Sequence, residues 1–517
     1  MVMTPEQSPE YPPELSPEEE QYLLSTLKDW SIANGLAVRP APSFISKEQD
    51  PSGVLASTAP VTLFPSLFPR SCFLEGCRIQ SAYNELYSAI ARDEDWLKSI
   101  VEELIGVDDF VSRLWEIHTE VKKEGYAQDL SLGLFRSDYM LHSDPSTTDQ
   151  GLGLKQVEFN TIASSFGGLS SQVSALHNYL LEIGAYPASS ANIIKSDAVQ
   201  QSSSTSSLAK GLAVAHRAYG KSKGARPLCV LFVVQDPERN VFDQRLLEYA
   251  LFSEGGIRAF RLPFNRTLEN TRLDTDRTLL YTPPHAPSCT YEVTTVYFRA
   301  GYSPDDYPKQ DDWTARLHLE RSRAIKCPSV LTHLAGCKKI QQVLATPHSP
   351  HLKRFLPDEE RASQVLATFA PIYPLDQSEA GLEARDLATN PESAVRYVLK
   401  PQREGGGNNI YRKSIPEFLK KLPQSHWPAY ILMEMIEPPP ARNAILRNGE
   451  VQKGGVICEL GVYGVCLWRN GSKEGDKGEI LENWEAGYLL RTKGDQSEEG
   501  GVAAGFGAVD SCCLLDV

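Results

Sequence analysis

Long apolar runs are missing from this chain of 517 residues. The longest, such as the one from Leu228 to Val234, are strand-length and far too short to span a bilayer. The opening stretch, Met1 to Glu20, is rich in proline and acid and has no apolar core, so it predicts neither a signal peptide nor an Arg-rich transit peptide. An excess of positive charge is missing too. The balance of 52 Lys and Arg against 66 Asp and Glu leaves a net charge of −14, which argues against a nucleic-acid-binding face. The ten cysteines form no Cys-x-x-Cys pair, and the closest, Cys512-Cys513, sit in the tail. Reduced thiols and a cytoplasmic location are expected, a redox protein working through paired thiols is disfavoured, and no Cys/His cluster has zinc-ligand spacing. Apolar and charged fractions of 41% and 23% are otherwise ordinary for a globular protein of two or three domains.

What is present is one unusual run, Lys400-Pro401-Gln402-Arg403-Glu404-Gly405-Gly406-Gly407-Asn408-Asn409-Ile410-Tyr411. It follows a β-rich stretch. Three consecutive glycines leave backbone N–H groups uncovered, so they can close on a phosphate chain. A lysine beside them suits phosphate, and a carboxylate suits Mg²⁺. The run lacks the Gly-Lys-Ser/Thr ending of a Walker loop and is not Gly-x-Gly-x-x-Gly. A flexible glycine hairpin accounts for the same residues.

Periodicity and capping signals organise the rest. Ser16-Pro17-Glu18-Glu19 is a capping box with proline at the first helical position, predicting a helix to about Asn34 with Gly35 as its stop. Residues 39–69 read as coil and short strand, 81–124 as helical, 132–139 and 154–160 as strands around a polar loop at 142–153, and 171–183 as helix. The serine-rich segment 189–207 reads as a mobile surface stretch. Strand 228–235, helix 240–253 and strand 294–299 point to a small α/β domain inserted at about 227–336. Beyond it come a helix at 338–345, strands at 396–400, 429–437 and 456–468, and a polar loop at 469–483.

Glu158 and Asn160 stand at i and i+2 in a strand and so share a face; with Glu404 they offer the hard oxygen atoms that Mg²⁺ takes. A solvated strand face is the plain alternative. The small residues that follow, Thr161, Ile162, Ala163, Ser164, Ser165, Phe166 and two glycines, suit either a close-approaching ligand or a tight turn into a helix. Arg136 and Arg299 end strands, where an arginine suits a carboxylate ligand or a surface ion pair. Arg491 and Lys493 precede the small-residue loop 500–505.

Taken together these segments resemble the eukaryotic glutathione synthetases of the ATP-grasp superfamily, over residues 16–510. The similarity rests on the blocks 157–162, 165–169, 238–244, 334–339, 400–411, 430–437, 489–493 and 500–505. It implies an α/β multi-domain ATP-grasp fold: an N-terminal catalytic part (1–226), an inserted α/β substrate domain (227–337) and a C-terminal part with glycine-rich lid loops (338–517). It also implies an ATP-dependent ligase that joins γ-L-glutamyl-L-cysteine to glycine through an acyl phosphate, releasing ADP and phosphate. Such a scheme needs no protein nucleophile, only positioning and charge stabilisation.

Carried onto this sequence, Glu158, Asn160 and Glu404 hold Mg²⁺. Lys338, Lys400, Gly405, Gly406, Gly407, Asn408 and Asn409 contact the ATP phosphates. Tyr411, Met433, Glu434, Met435, Ile436, Glu459, Lys493 and Glu499 hold the nucleoside or neighbouring groups. Arg136, Ile162, Ala163, Ser164, Ser165, Glu238, Arg239, Asn240, Gln244, Arg299, Ala300, Gly301, Tyr302, Arg491, Val502 and Ala503 line the peptide site. Arg136, Arg491, Lys338 and Lys400 carry the catalytic charge, with both arginines beside the reacting carboxylate. Ala163, Ala300 and Met435 depart from the pattern where relatives have serine, an acid and lysine, and segment 469–483 is longer. The Ala503-Ala504 pair favours glycine over β-alanine as acceptor. The resemblance further implies a homodimer with small-molecule substrates. A β-alanine-using ligase and a catalytically silent nucleotide-binding regulator are the alternatives.

Overall fold

The computed structural model describes residues 11–143, 152–222, 224–404, 407–471, 478–497 and 507–516. Its backbone is a mixed sheet of 13 strands plus a separate sheet of four. The long strand Glu450–Arg469 lies at the middle of the large sheet, antiparallel to Leu130–Ser143 on one side and Glu479–Gly494 on the other. Leu130–Ser143 turns back antiparallel to Leu152–Asn160, with Arg136 opposite Asn160 and Asp138 opposite Glu158. Through one residue pair, Lys326 with Ser131, the sheet continues into a parallel set made of Ile325–Cys327, Tyr291–Phe298, Leu228–Val234 and Ala259–Pro263. All but one residue pair of this set lies within residues 227–337, where Leu279–Tyr281 and Thr271–Leu273 add an antiparallel edge, and Leu228–Val234 has the unbroken apolar character of a strand covered on both faces.

The four-stranded antiparallel sheet orders Ile372–Pro374, Tyr430–Glu434, Tyr397–Pro401 and Ile410–Tyr411. A bridge from Gln156 to Phe369, three residues ahead of the strand Ile372–Pro374, ties the segment leading into it to the hairpin edge of the large sheet. Glu158 from the hairpin and Glu404 from beyond the strand Tyr397–Pro401 meet on one lysine at this junction.

The helix Arg70–Arg92 explains which way the hairpin faces. Its Tyr87 stacks on Phe159 with ring centroids 3.8 Å apart, and Tyr83 stacks on the same ring at 5.8 Å. Phe159 is buried, and burying such a ring stabilises by about 1.5–3 kcal/mol. Strand alternation then turns its neighbours Glu158 and Asn160 to the opposite face.

The first helix, Pro17–Ala33, forms with the Ser16/Glu19 capping box that its sequence predicts. The helix Lys338–Ala345 also has the expected bounds. Other expectations are corrected. The helical stretch 81–124 begins earlier and divides into Arg70–Arg92, Glu94–Val101 and Asp109–Glu124, because Asp93 and Asp108 each cap a new helix by accepting from a backbone N–H. The serine-rich segment lies at the surface only in part: Ser189, Asn192, Asp197 and Ser203 are exposed, while Ile194, Ala198, Val199, Ser202 and Ser204 are buried. Its buried serines bond inward, Ser202 Oγ donating to Tyr488 O and Ser204 Oγ to Gly167 O. The polar segment 469–483 becomes strand from Glu479, since pairing with the long central strand overrides its polarity; residues 472–477 lie outside the described residues.

Candidate active site

A cavity of about 480 Å³ opens between the hairpin, the four-stranded sheet and the end of the long central strands. Its charged centre is Lys338, at the first turn of its helix and 4% exposed. The ammonium sits 3.0 Å from Glu158 Oε2 and donates to Glu404 Oε1 at 3.2 Å. Two carboxylates from distant stretches therefore converge on one nitrogen. Lys400, also buried, donates to the carbonyl of Val157 at 3.0 Å. Burial alone would raise the Glu158 carboxyl, but Lys338, Lys400 and Arg491 together hold it well below the usual carboxylate range. Glu404 goes the other way. Burial, with the charge of Glu158 adding to it and Lys338 opposing, pushes its carboxyl up to about 7. Two half-buried acids whose affinities for protons are driven apart behave as one coupled anionic site.

The arginines occupy the adjoining wall. Arg136 grips Asp138 bidentately, Nε to Oδ1 at 2.6 Å and Nη2 to Oδ2 at 2.8 Å, and donates from Nη1 to Ser165 O at 3.1 Å. Arg491 Nη2 donates to Asp138 Oδ2 at 2.8 Å and also pairs with Glu459. Burial would raise the Glu459 carboxyl, and Arg491 opposes the rise. Asn160 Nδ2 donates to Asp138 at 2.9 Å.

Of the residues singled out from the sequence, the cavity brings together Arg136, Glu158, Asn160, Ile162, Ala163, Ser165 and Tyr302 from the large sheet and its loops. Lys338, Lys400, Glu404, Asn408, Asn409 and Tyr411 face it from the glycine run and its neighbours. Met433, Glu434, Met435, Ile436, Glu459, Arg491 and Lys493 complete it. Glu434 is fixed by Tyr373, whose hydroxyl donates to it at 3.0 Å. Gly407 is described and does not line the cavity. Gly405, Gly406, Glu499, Val502 and Ala503 lie outside the described residues.

The remaining candidates form a second cluster behind Ser165. Arg299 Nη2 donates to Ser165 Oγ at 2.8 Å and lies 3.4 Å from Asp243 Oδ2. Asp243 in turn accepts from the N–H groups of Phe166, Gly168 and Leu169, capping the helix Gly167–Glu182 and fixing the turn that carries Ser165. Asn240 donates to Asp243, and Glu238 accepts from Asn240 N and Gln244 Nε2. Ala300 and Gly301 continue the strand end, and Gln235 Nε2 donates to Tyr302 OH at 3.1 Å. Asn240 Oδ1, Gln244 Oε1, Arg299 Nε and Arg491 Nε are buried without a hydrogen-bond partner. Ser164 sits apart, donating to Asn160 O, and Arg239 packs on the backbone of Arg39.

Sequence reasoning passed over Asp138 and Asp243. Asp138 was legible: it stands two residues from Arg136 in a strand and so shares its face. The capping role of Asp243 carried no local signal, because the N–H groups it accepts from are 74 to 77 residues away. Arg403, Ile457, Asp495 and Gln496 also line the cavity.

The donor set fits Mg²⁺. Among the described residues no three His, Cys, Asp or Glu side chains form a closed cation cage, but Mg²⁺ is commonly held by one or two carboxylates together with substrate phosphates. Glu158 and Glu404 supply two, and Asn160, with its nitrogen spent on Asp138, has an oxygen left to offer.

A profile of the eukaryotic glutathione synthase ATP-binding domain matches residues 17–514. The glutathione synthetase large chain of Schizosaccharomyces pombe is 40% identical over 519 residues, covering 97% of this chain and 99% of that one. Glutathione synthetase of Homo sapiens is 38% identical over 93% of this chain and 94% of its own length. A glutathione synthetase-like effector of Globodera pallida, solved in its apo form, superposes with a TM-score of 0.71 at 20% identity, covering 97% and 98% of the two chains, a likeness of fold.

Proposed function

The chain belongs to the eukaryotic glutathione synthase family, and from that premise we propose that it is an ATP-dependent ligase making glutathione from γ-L-glutamyl-L-cysteine and glycine. The observation that carries the reading is the placement of Lys338 between Glu158 and Glu404, with Arg136 and Arg491 on the adjoining wall. Lys338 and Lys400 neutralise the phosphates of ATP. Glu158, Asn160 and Glu404 would hold Mg²⁺, which draws off phosphate charge when bound. Tyr411 and residues 433–436 take the nucleoside, and the 400–409 and 500–505 loops are assigned the lid role on their sequence.

The peptide's γ-glutamyl end is assigned to the cluster of Arg299, Asn240, Gln244 and Glu238, whose guanidinium, amide and carboxylate groups suit an amino-acid head group. Its cysteinyl carboxylate then reaches Arg136 and Arg491. A carboxylate oxygen attacks the γ-phosphorus and ADP leaves. The acyl phosphate has the leaving group that a free carboxylate lacks. The glycine amine attacks the acyl carbon, phosphate departs and the amine loses a proton. Fixed guanidinium charge stabilises the negative charge that develops on the phosphoryl group and the tetrahedral centre. We assign residues 227–337 as the inserted substrate domain, and take the protein to act in the cytoplasm as a homodimer. Among the described residues no helix is long and apolar enough to cross a membrane.

Incubation with ATP, Mg²⁺, the dipeptide and either glycine or β-alanine tests this. Glutathione and one phosphate per peptide bond are expected with glycine. Dominant β-alanine product would make it the other ligase, and no nucleotide turnover would make it a silent binder.

A further inference from the structure

The charged side chains of the site converge on a carboxylate that the reaction above does not use. Asp138 has no exposed surface and does not line the cavity. Its Oδ1 accepts from Arg136 Nε at 2.6 Å. Its Oδ2 accepts from Arg136 Nη2 at 2.8 Å, Arg491 Nη2 at 2.8 Å and Asn160 Nδ2 at 2.9 Å. We propose that Asp138 is a positioning residue with two separable tasks: it clamps Arg136 and Arg491 side by side against the peptide carboxylate, and it sets which way round the Asn160 amide faces the metal. The proposal rests on the ligase reading above for the identity of the ligands.

The first task follows from charge. Two guanidinium groups repel at contact distance, and in a buried wall the repulsion is weakly screened. One carboxylate shared between them cancels it and imposes planar geometry through the bidentate grip on Arg136. Glu459 cannot substitute, since it pairs with Arg491 and has no bond to Arg136.

The second task follows from the inventory of donors. An ionised carboxylate only accepts, so the side of the Asn160 amide that meets it must be the nitrogen. A second bond from the same nitrogen to Arg136 O at 3.3 Å agrees. The oxygen is thereby left for the cavity, where a cation requires an acceptor. Outer partners of this kind orient metal ligands and typically change metal affinity about 10–100-fold when altered.

The test uses the full-length protein and reads binding rather than turnover. Calorimetry follows γ-glutamylcysteine binding without nucleotide or metal, and the Mg²⁺ concentration needed for half-maximal binding of a non-hydrolysable ATP analogue. In Asp138→Asn, the dipeptide Kd should rise ~10-fold or more, as for loss of one partner of a buried charge pair, and the Mg²⁺ requirement should rise ~10-fold. The double variant Asp138→Asn/Asn160→Asp exchanges acid and amide. It restores a hydrogen bond between the two positions and an oxygen toward the metal, but not the charge between the arginines. It should recover the Mg²⁺ requirement while leaving dipeptide binding weak. Unchanged binding in the single variant, or recovery of both properties together in the double, overturns the proposal.

The unmutated protein gives a readout should the variants not fold. In ¹⁵N spectra of the arginine side chains, the Arg136 Nε–H should be protected from exchange in the ligand-free state, and rapid exchange overturns the clamp. A wild-type protein that binds both ligands but makes no glutathione would refute the ligase reading while leaving these binding tests intact.

Discussion

Glu404 shares one ammonium with Glu158, and the burial that makes this arrangement strong also makes it costly to the empty protein. Its carboxyl is pushed up to about 7 in the fold, against about 4.3 in an unfolded chain. The folded state therefore binds this proton more tightly than the unfolded state. The stabilisation it contributes is fully present below about pH 4.3 and is lost as the pH rises through 7. Glu158 has the opposite sign and a lower window, since its carboxyl is depressed. Melting of the ligand-free protein should show Glu404→Gln gaining stability relative to wild type between pH 5 and pH 8. An equal offset at both pH values would contradict it. Nucleotide with Mg²⁺ should remove this cost, because Glu158 and Glu404 would hold the metal and its charge would offset that of the ionised carboxylates.

Strands, more than loops, position this site. Gly461 on the strand Glu450–Arg469 lies opposite Asp138, and a Cβ there would meet Arg136 Cδ at 2.7 Å and Asp138 Oδ1 at 2.9 Å. On the same strand, a Cβ on Gly454 would meet nothing within 4 Å. Gly461→Ala should therefore destabilise by about 1–3 kcal/mol through overpacking and lower kcat/KM for the dipeptide more than for ATP, while Gly454→Ala should change neither. Equal effects of the two would contradict the tight fit at Arg136.

Elements were legible in the sequence where local chemistry decides them. The Ser16/Glu19 box, the apolar Leu228–Val234 strand and the Lys338 helix each carry their own signal. The strand beginning at Glu479 does not, because a partner strand recruits a polar segment. The buried serines of 189–207 misled for the same reason: their acceptors, such as Tyr488 O, come from elsewhere in the chain.

At the scale of the whole molecule, the acids and bases of the site come from stretches as far apart as Arg136 and Arg491, so their meeting is a property of the fold. The residue types were readable one motif at a time, and the resemblance to a known family ordered them. What could not be read was how they neutralise each other: Lys338 between two carboxylates, Asp138 beneath two arginines. In the reaction proposed above, a peptide carboxylate facing a terminal phosphate enters opposite these cations. The most direct measurement is oxygen transfer. With γ-glutamylcysteine labelled with ¹⁸O in its cysteinyl carboxylate, one labelled oxygen should appear in the released inorganic phosphate for each glutathione formed. Glutathione made with unlabelled phosphate would contradict a carboxylate attacking phosphorus, and with it the account of this site.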